Sequence, residues 1–220
     1  MTTHNDSPVA DFQLRKPFQA LGGTWIESKY ILDVSIAIIS LFILIIPLVL
    51  VAIAIRLDSS GPVLFKQTRT GLRGRLFTIY KFRTMSVLEN GLVIQQAKKN
   101  DPRVTRIGRW LRRTSIDELP QLLNVLRGEM SLVGPRPHAV AHDHYYEQRI
   151  PEYWERFAVK PGITGWAQVN GSRGETPSLA DMQHRVQLDL WYVQHWSHTL
   201  DLRIIIKTIA NEIALRGRGH

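Results

Sequence analysis

The chain has 220 residues with 28 Lys and Arg against 19 Asp and Glu, a formal net charge of +9, and no cysteine. That length suits one domain with a real core plus an accessory segment. The absence of thiols excludes disulfides, thiolate nucleophiles and zinc–thiolate sites.

Met1 to Gly23 is polar and aperiodic and reads as a tail; the apolar run comes too late and is too long for a signal peptide. Val34 to Ile55 carries no charge and reaches about 33 Å as a helix, enough to cross a bilayer. Asp33 at its edge, Pro47 within it and basic residues at both ends (Lys29, Arg56) leave its orientation open. After Gly61-Pro62, the β-prone runs Val63–Thr68 and Leu76–Phe82 flank Gly71–Gly74 and predict a hairpin. Its cations Lys66, Arg69, Arg73, Arg75, Lys81 and Arg83 fit a solvated edge. Glu89–Pro102 is polar, and Val104–Arg113 reads as a short basic helix. Between Lys66 and Arg113, thirteen basic residues meet only two acids, Glu89 and Asp101. Such a field attracts phosphates of lipid, nucleotide or nucleic acid alike.

The centre of the chain is Leu111 to Pro137. Ser115, Ile116, Asp117 and Glu118 fit the capping box S-x-x-E, predicting a helix that holds Pro120 in its first turn and runs through Leu122, Leu123 and Leu126 to Gly128. Asp117 would then stand at a helix N-terminus, where the dipole and nearby Arg112 and Arg113 favour the ionised carboxylate. An ionised aspartate serves as nucleophile or metal ligand, although the same spacing also fits a plain helix cap. Gly134-Pro135-Arg136-Pro137 fixes one guanidinium between two prolines, which suits bidentate phosphate binding.

Beyond Pro137, His138 and His142 form HAVAH, which lacks the glutamate of a zinc motif, so these histidines and His144 are assigned to a polar helix face. Lys160–Gly171 reads as loop, with Trp166 packing into the core, and Asn170–Gly174 as a turn whose Arg173 either reaches a phosphate or merely turns. Leu179–Trp196 is helical, with Asp189 placed to pair with Arg185. Leu200–Leu215 is a second helix whose Leu202, Ile205, Ile206, Ile209 and Ile213 share one side, packed inward or laid on a membrane. There is no P-loop, no G-x-G-x-x-G and no D-x-D pair, and there are no internal repeats.

Three stretches, KFRTM (Lys81–Met85), SIDELPQLLNVLRGEMSLVGPRP (Ser115–Pro137) and KPGITGWAQVNG (Lys160–Gly171), resemble the bacterial sugar transferase family in the same order. These are the monotopic polyprenyl-phosphate hexose-1-phosphate transferases, and the resemblance runs from Trp25 to the C-terminus. It implies an enzyme that moves a hexose 1-phosphate from a UDP-sugar to undecaprenyl phosphate and releases UMP, starting an exopolysaccharide. The implied fold is α+β and mostly helical: a polar tail (1–23), a membrane-inserted helix (24–57) and a small catalytic domain (58–220) with a short hairpin and interfacial helices. The helix would be re-entrant, broken near a proline, with the domain on the cytoplasmic face of the bacterial inner membrane; here Ile46-Pro47 stands where the family has Ser-Pro.

The resemblance makes Lys81, Arg112 and Asp189 active-site positions beside the pair Asp117 and Glu118. With Arg136 and Arg173 they would hold phosphate, while Asp117 attacks phosphorus and also binds Mg²⁺. Hard carboxylate and phosphate oxygens suit that ion. The runs RPHAVAH and GETPSL resemble the glucose-specific branch, so UDP-glucose is expected first and UDP-galactose second. Membrane lipids are expected partners and nucleic acid is not; a homo-oligomer stays open. The competing readings are a tethered binder of nucleic acid or anionic lipid, using the basic stretch, and a scaffold subunit that has lost its chemistry.

Overall fold

The computed structural model describes residues 23–86 and 101–217, with side chains for 27–86 and 101–214. Residues 1–22 of the predicted tail (1–23) and most of the polar stretch Glu89–Pro102 lie outside the described residues. Helix α1 (Gly23–Asp58) contains the apolar run and Pro47. Its apolar window has a mean hydropathy of 3.3 and is only 6% buried, so it is not a core helix by burial. The helix continues through Pro47 instead of breaking there. Proline removes one backbone bond, and packing on both sides of it holds the axis: Ala37 and Leu41 sit on one hydrophobic cluster, Val51, Ala52 and Ile55 on another.

Strands β1 (Leu64–Thr70) and β2 (Leu76–Phe82) pair antiparallel, Leu64 opposite Phe82 and Thr70 opposite Leu76, as the predicted hairpin requires. Alternation turns Phe77 and Ile79 inward against Leu122, Val125 and Met130, the same cluster that receives Ala37 of α1. Helix α2 (Arg106–Arg113) starts where Thr105 accepts a bond from the Gly108 amide at 2.9 Å. A 3₁₀ segment (Ile116–Gln121) leads into α3 (Leu122–Leu126), which ends before Gly128 at φ 73°.

Strand β3 (Ser131–Val133) then pairs in parallel with β4 (Gly162–Thr164), Ser131 opposite Gly162 and Val133 opposite Thr164. The stretch Lys160–Gly171, predicted as loop, is therefore partly strand and partly the short helix α5 (Trp166–Val169). Helix α4 (Val140–Glu147) and a 3₁₀ segment (Tyr153–Ala158) lie between β3 and β4. Helix α6 (Leu179–His195) opens with a capping box of Ser178 and Asp181 that the sequence reading missed. Helix α7 (His198–Gly217) buries Leu200 and Ile204 against Val133 and Tyr192. Of the predicted face, Ile205 packs half-buried on that cluster, while Leu202, Ile206, Ile209 and Ile213 are exposed, so most of the face points outward rather than inward. The domain is mostly helical with two small sheets, in keeping with the α+β expectation.

Both halves of α1 rest on this one domain. Near its start Lys29 pairs with Asp201, and Asp33 accepts a bond from the Ser131 hydroxyl at 2.7 Å; near its end Ile55 packs on Phe82 and Leu111. Residues 33 and 55 stand about 33 Å apart along a helix, so the helix lies along the domain rather than projecting from it. Its other side, including Phe42, Ile43, Ile46 and Leu50, is bare hydrocarbon.

Candidate active site

Glu118 lies in the 3₁₀ segment facing β2 and takes the charge of two cations. Lys81 Nζ of β2 donates to its Oε1 at 2.8 Å; Arg136 donates Nη1 to Oε2 at 3.0 Å and Nη2 to Oε1. This corrects the predicted capping box. Charge-assisted bonds are about twice as strong as neutral ones, so Glu118 turns to Lys81 and Arg136 instead of reaching back to the Ser115 amide. Ser115 adopts φ 54° and ψ 14° and makes no cap bond. Its hydroxyl donates to Glu212 Oε1 at 3.2 Å and accepts from Arg173.

The carboxylates of Asp117 and Glu118 are pushed in opposite directions. Arg136 and Lys81 hold Glu118 well below the usual carboxylate range despite its burial. Burial first, and the Glu118 charge second, lift Asp117 from 3.8 to about 6, against the pull of Lys81, Arg112 and Arg136. The dipole that was expected to favour its ionised form is outweighed, because a 3₁₀ segment of six residues aligns few peptide dipoles. At pH 7 Asp117 is still roughly nine-tenths ionised, and no hydrogen bond to its carboxylate is seen among the described residues. Its carboxylate is poorly solvated and mostly charged, the state in which an aspartate can serve as nucleophile or metal ligand, whereas Glu118 is too acidic and too occupied to act as a base.

The loop behind Arg136 explains the sequence of the third motif. A Cβ on Gly134 would come 2.4 Å from the Lys160 carbonyl, and one on Gly162 would come 2.1 Å from the Gly134 amide. The two segments touch backbone to backbone, which only glycine allows. Asp189 does not open onto this loop's surface. It is 2% exposed and accepts from Arg156 Nη2 at 2.7 Å, not from Arg185 as predicted. Arg156, absent from the sequence reading, also donates Nη2 to the Arg136 carbonyl at 2.7 Å.

Arg112 is exposed at the end of α2, its Nη1 3.7 Å from Met85 Sδ. Arg173 is tied to Glu212 and to the Ser115 hydroxyl. Arg69, read as a solvated edge, instead donates to the Pro137 carbonyl at 3.3 Å, and burial together with Arg136 lowers its pKa to about 10. His138 is likewise buried, its Nδ1 2.7 Å from Tyr153 Oη, rather than on a polar helix face. The sequence signal for Arg69 and Arg156 was absent because their loop partners are remote main-chain carbonyls and the Asp189 partner of Arg156 lies on another element.

No group of three His, Asp or Glu side chains able to enclose a metal gathers among the described residues. Both oxygens of Glu118 are engaged, which leaves Asp117 as the carboxylate open to a divalent cation. That single hard donor fits Mg²⁺, which keeps several waters and is often held by one or two carboxylates plus substrate phosphates.

The model of the bacterial sugar transferase family matches residues 25–214. A UDP-glucose:undecaprenyl-phosphate glucose-1-phosphate transferase of Escherichia coli (strain K12) is 52% identical over 177 residues, which are 80% of this chain and 38% of that protein. One of the same name from Caulobacter vibrioides is 54% identical over 181 residues, 82% of this chain and 68% of its own length. The exopolysaccharide production protein PSS of Rhizobium leguminosarum bv. phaseoli is 48% identical over 195 residues, 87% of this chain and 97% of its own. The chain thus spans well under half of the first of these relatives and nearly all of the last.

Proposed function

Since the chain belongs to the bacterial sugar transferase family, we propose that it transfers glucose 1-phosphate from UDP-glucose to undecaprenyl phosphate, releasing UMP and initiating an exopolysaccharide. The relatives' names support the donor and acceptor, and that of the Rhizobium protein supports the pathway. The observation that carries the chemistry is the divided pair: an unpaired Asp117 beside a Glu118 that holds Lys81 and Arg136 in place.

An Asp117 carboxylate oxygen attacks the β-phosphorus of the UDP-sugar. The bond from that phosphorus to the bridging oxygen breaks, and UMP leaves with the electron pair. An oxygen of undecaprenyl phosphate then attacks the same phosphorus, which restores the carboxylate and forms the diphosphate-linked sugar. Lys81, Arg136 and Arg112 offset the charge spread over the transferring phosphoryl oxygens, where most of the catalysis of such reactions lies. Glu118 acts as the counter-ion that keeps Lys81 and Arg136 converged until phosphate oxygens replace it. Mg²⁺, held through Asp117 and the diphosphate, would supply further charge neutralisation. Arg173, tied to Ser115, orders the turn before Asp117.

The helix α1, resting on the domain through both of its halves with bare hydrocarbon opposite, supports an arrangement in which it enters the cytoplasmic leaflet without crossing. A crossing helix would carry Leu122 and Phe82, on which its two halves pack, to opposite depths of the bilayer. Cysteines placed near Ser7 and Glu89 should then both resist an impermeant reagent applied from the periplasm.

The deciding assay is UMP release from UDP-glucose with and without undecaprenyl phosphate, followed by mass spectrometry of the peptide bearing Asp117. A phosphohexose adduct formed without lipid is the expected result. Release that requires lipid, with no adduct, would establish direct transfer instead, and turnover only with an N-acetylated sugar would refute the glucose assignment.

A further inference from the structure

Gly134-Pro135-Arg136-Pro137 has little with which to hold itself. Its prolines have no N–H, so the loop is fixed mainly by what its carbonyls accept. Each of three consecutive carbonyls has a donor: Pro135 O takes the Gly162 amide at 2.9 Å, Arg136 O takes Arg156 Nη2 at 2.7 Å, and Pro137 O takes Arg69 Nη1 at 3.3 Å. Two of the three donors are arginines, from β1 and from the 3₁₀ segment Tyr153–Ala158, on elements far from the loop in sequence.

Arg156 is 1% exposed and Asp189, its ion-pair partner, 2%. A buried ion pair of this kind seldom adds stability over well-packed apolar residues, and its best-attested use is to enforce one arrangement. The arrangement here is a fork: Nε and Nη2 of Arg156 meet Asp189 Oδ2 at 3.2 and 2.7 Å, while Nη2 also meets the loop and Nη1 lies 3.0 Å from His138 Nδ1. His138 directly follows Pro137, so Arg156 grips the loop at Arg136 and just past its second proline. The network extends to β1, because Tyr153 and Thr70 both donate to Asp143 at 2.7 Å and Thr70 adjoins Arg69. Everything that converges here acts on the backbone of the residue whose side chain grips Glu118.

We propose that Arg156, oriented by Asp189, and Arg69 are positioning residues for Arg136, clamping the carbonyls of Arg136 and Pro137 so that its guanidinium faces Glu118 and the phosphate that replaces it. Neither touches the reacting atoms; their effect passes through Arg136. The inference rests on the reading of Arg136 as a phosphate-binding residue of a UMP-releasing enzyme. It assigns Asp189 to Arg156 rather than to substrate, and it explains why an aspartate so remote from solvent belongs to the site at all.

Arg156→Lys keeps the charge opposite Asp189 but lacks the planar fork needed to reach Asp189 and the loop carbonyl together. The test is a double-mutant cycle on the affinity for UDP, which carries the β-phosphate, measured calorimetrically on the detergent-solubilised full chain: wild type, Arg156→Lys, Arg136→Ala and the double variant. The expected result is about a tenfold loss from Arg156→Lys when Arg136 is present and less than twofold when it is absent. A general structural role weakens binding equally in both backgrounds, and that additive result would overturn the inference. Should Arg156→Lys fail to fold, the same cycle with Arg69→Lys decides by the same criterion. A wild-type chain that neither binds UDP nor releases UMP from UDP-glucose overturns the transferase reading as well. UDP binding by the wild type with additive losses overturns only the clamp.

Discussion

Asp117→Asn should inactivate the protein and stabilise it. Burial and the Glu118 charge lift the Asp117 carboxyl from 3.8 to about 6, which costs the folded state about 3 kcal/mol when the group is ionised. Water reaching the half-buried side chain reduces this to about 2 kcal/mol. Asparagine has nearly the same shape, and no hydrogen bond to the Asp117 carboxylate is seen among the described residues, so little is lost in exchange. For a domain of this size the gain is about 4 to 8 °C in Tm. Because the folded pKa lies above the unfolded one, the penalty is complete above pH 6, shrinks as pH falls through 6, and disappears below 3.8. At about pH 4.5 roughly a third of the advantage should remain. The assay is thermal unfolding followed by tryptophan fluorescence, in detergent with EDTA and without nucleotide, at about pH 7.5 and pH 4.5. A variant no more stable than wild type at the higher pH, or equally advantaged at both, would refute the argument. Such an exchange of stability for activity is common where a site holds a charge in poor solvation.

Gly162→Ala places a methyl 2.1 Å from the Gly134 amide, so it should cost at least about 1–3 kcal/mol by overpacking and abolish UMP release by pushing the Arg136 loop off Glu118; retained activity would show that the close approach is dispensable. The outward stripe of α7 predicts that a fluorophore on Ile209→Cys is quenched by lipid-borne quenchers in reconstituted vesicles, whereas one on Asn211→Cys is quenched much less; equal quenching would place the helix away from the bilayer. Burial and Arg156 hold the His138 pKa well below 6.5, so its contribution to stability is present above pH 6.5 and is lost as pH falls further. In the Asp117→Asn background, where the opposing effect of Asp117 is gone, Tm should drop between about pH 7.5 and pH 5.5, and a flat profile would contradict the buried neutral imidazole.

Local pattern was enough for much of this chain. The hairpin, α2, α6 and α7 were legible from alternation and helical period, because those signals act between neighbours in sequence. The three motifs were enough to place the family, and Asp117, Glu118, Lys81 and Arg136 were all picked out as candidates. What the sequence could not decide was which of two local options long-range charge would select. Ser115 and Glu118 spell a capping box, yet Glu118 is drawn to Lys81, 37 positions before it, and to Arg136, 18 after it. Asp189 has Arg185 one helical turn away, yet pairs with Arg156 from another element. The α7 stripe was visible as a stripe; only the packing of Leu200 and Ile204 on Val133 and Tyr192 settled that it faces outward. Arg69 and Arg156 were unreadable for a related reason: the loop carbonyls they bind belong to the backbone, which every residue possesses, and the Asp189 partner of Arg156 lies 33 positions away. Sequence periodicity sets the elements, but the strength of a charge-assisted bond in a poorly solvated interior exceeds a local cap, and only the folded arrangement reveals which charges meet.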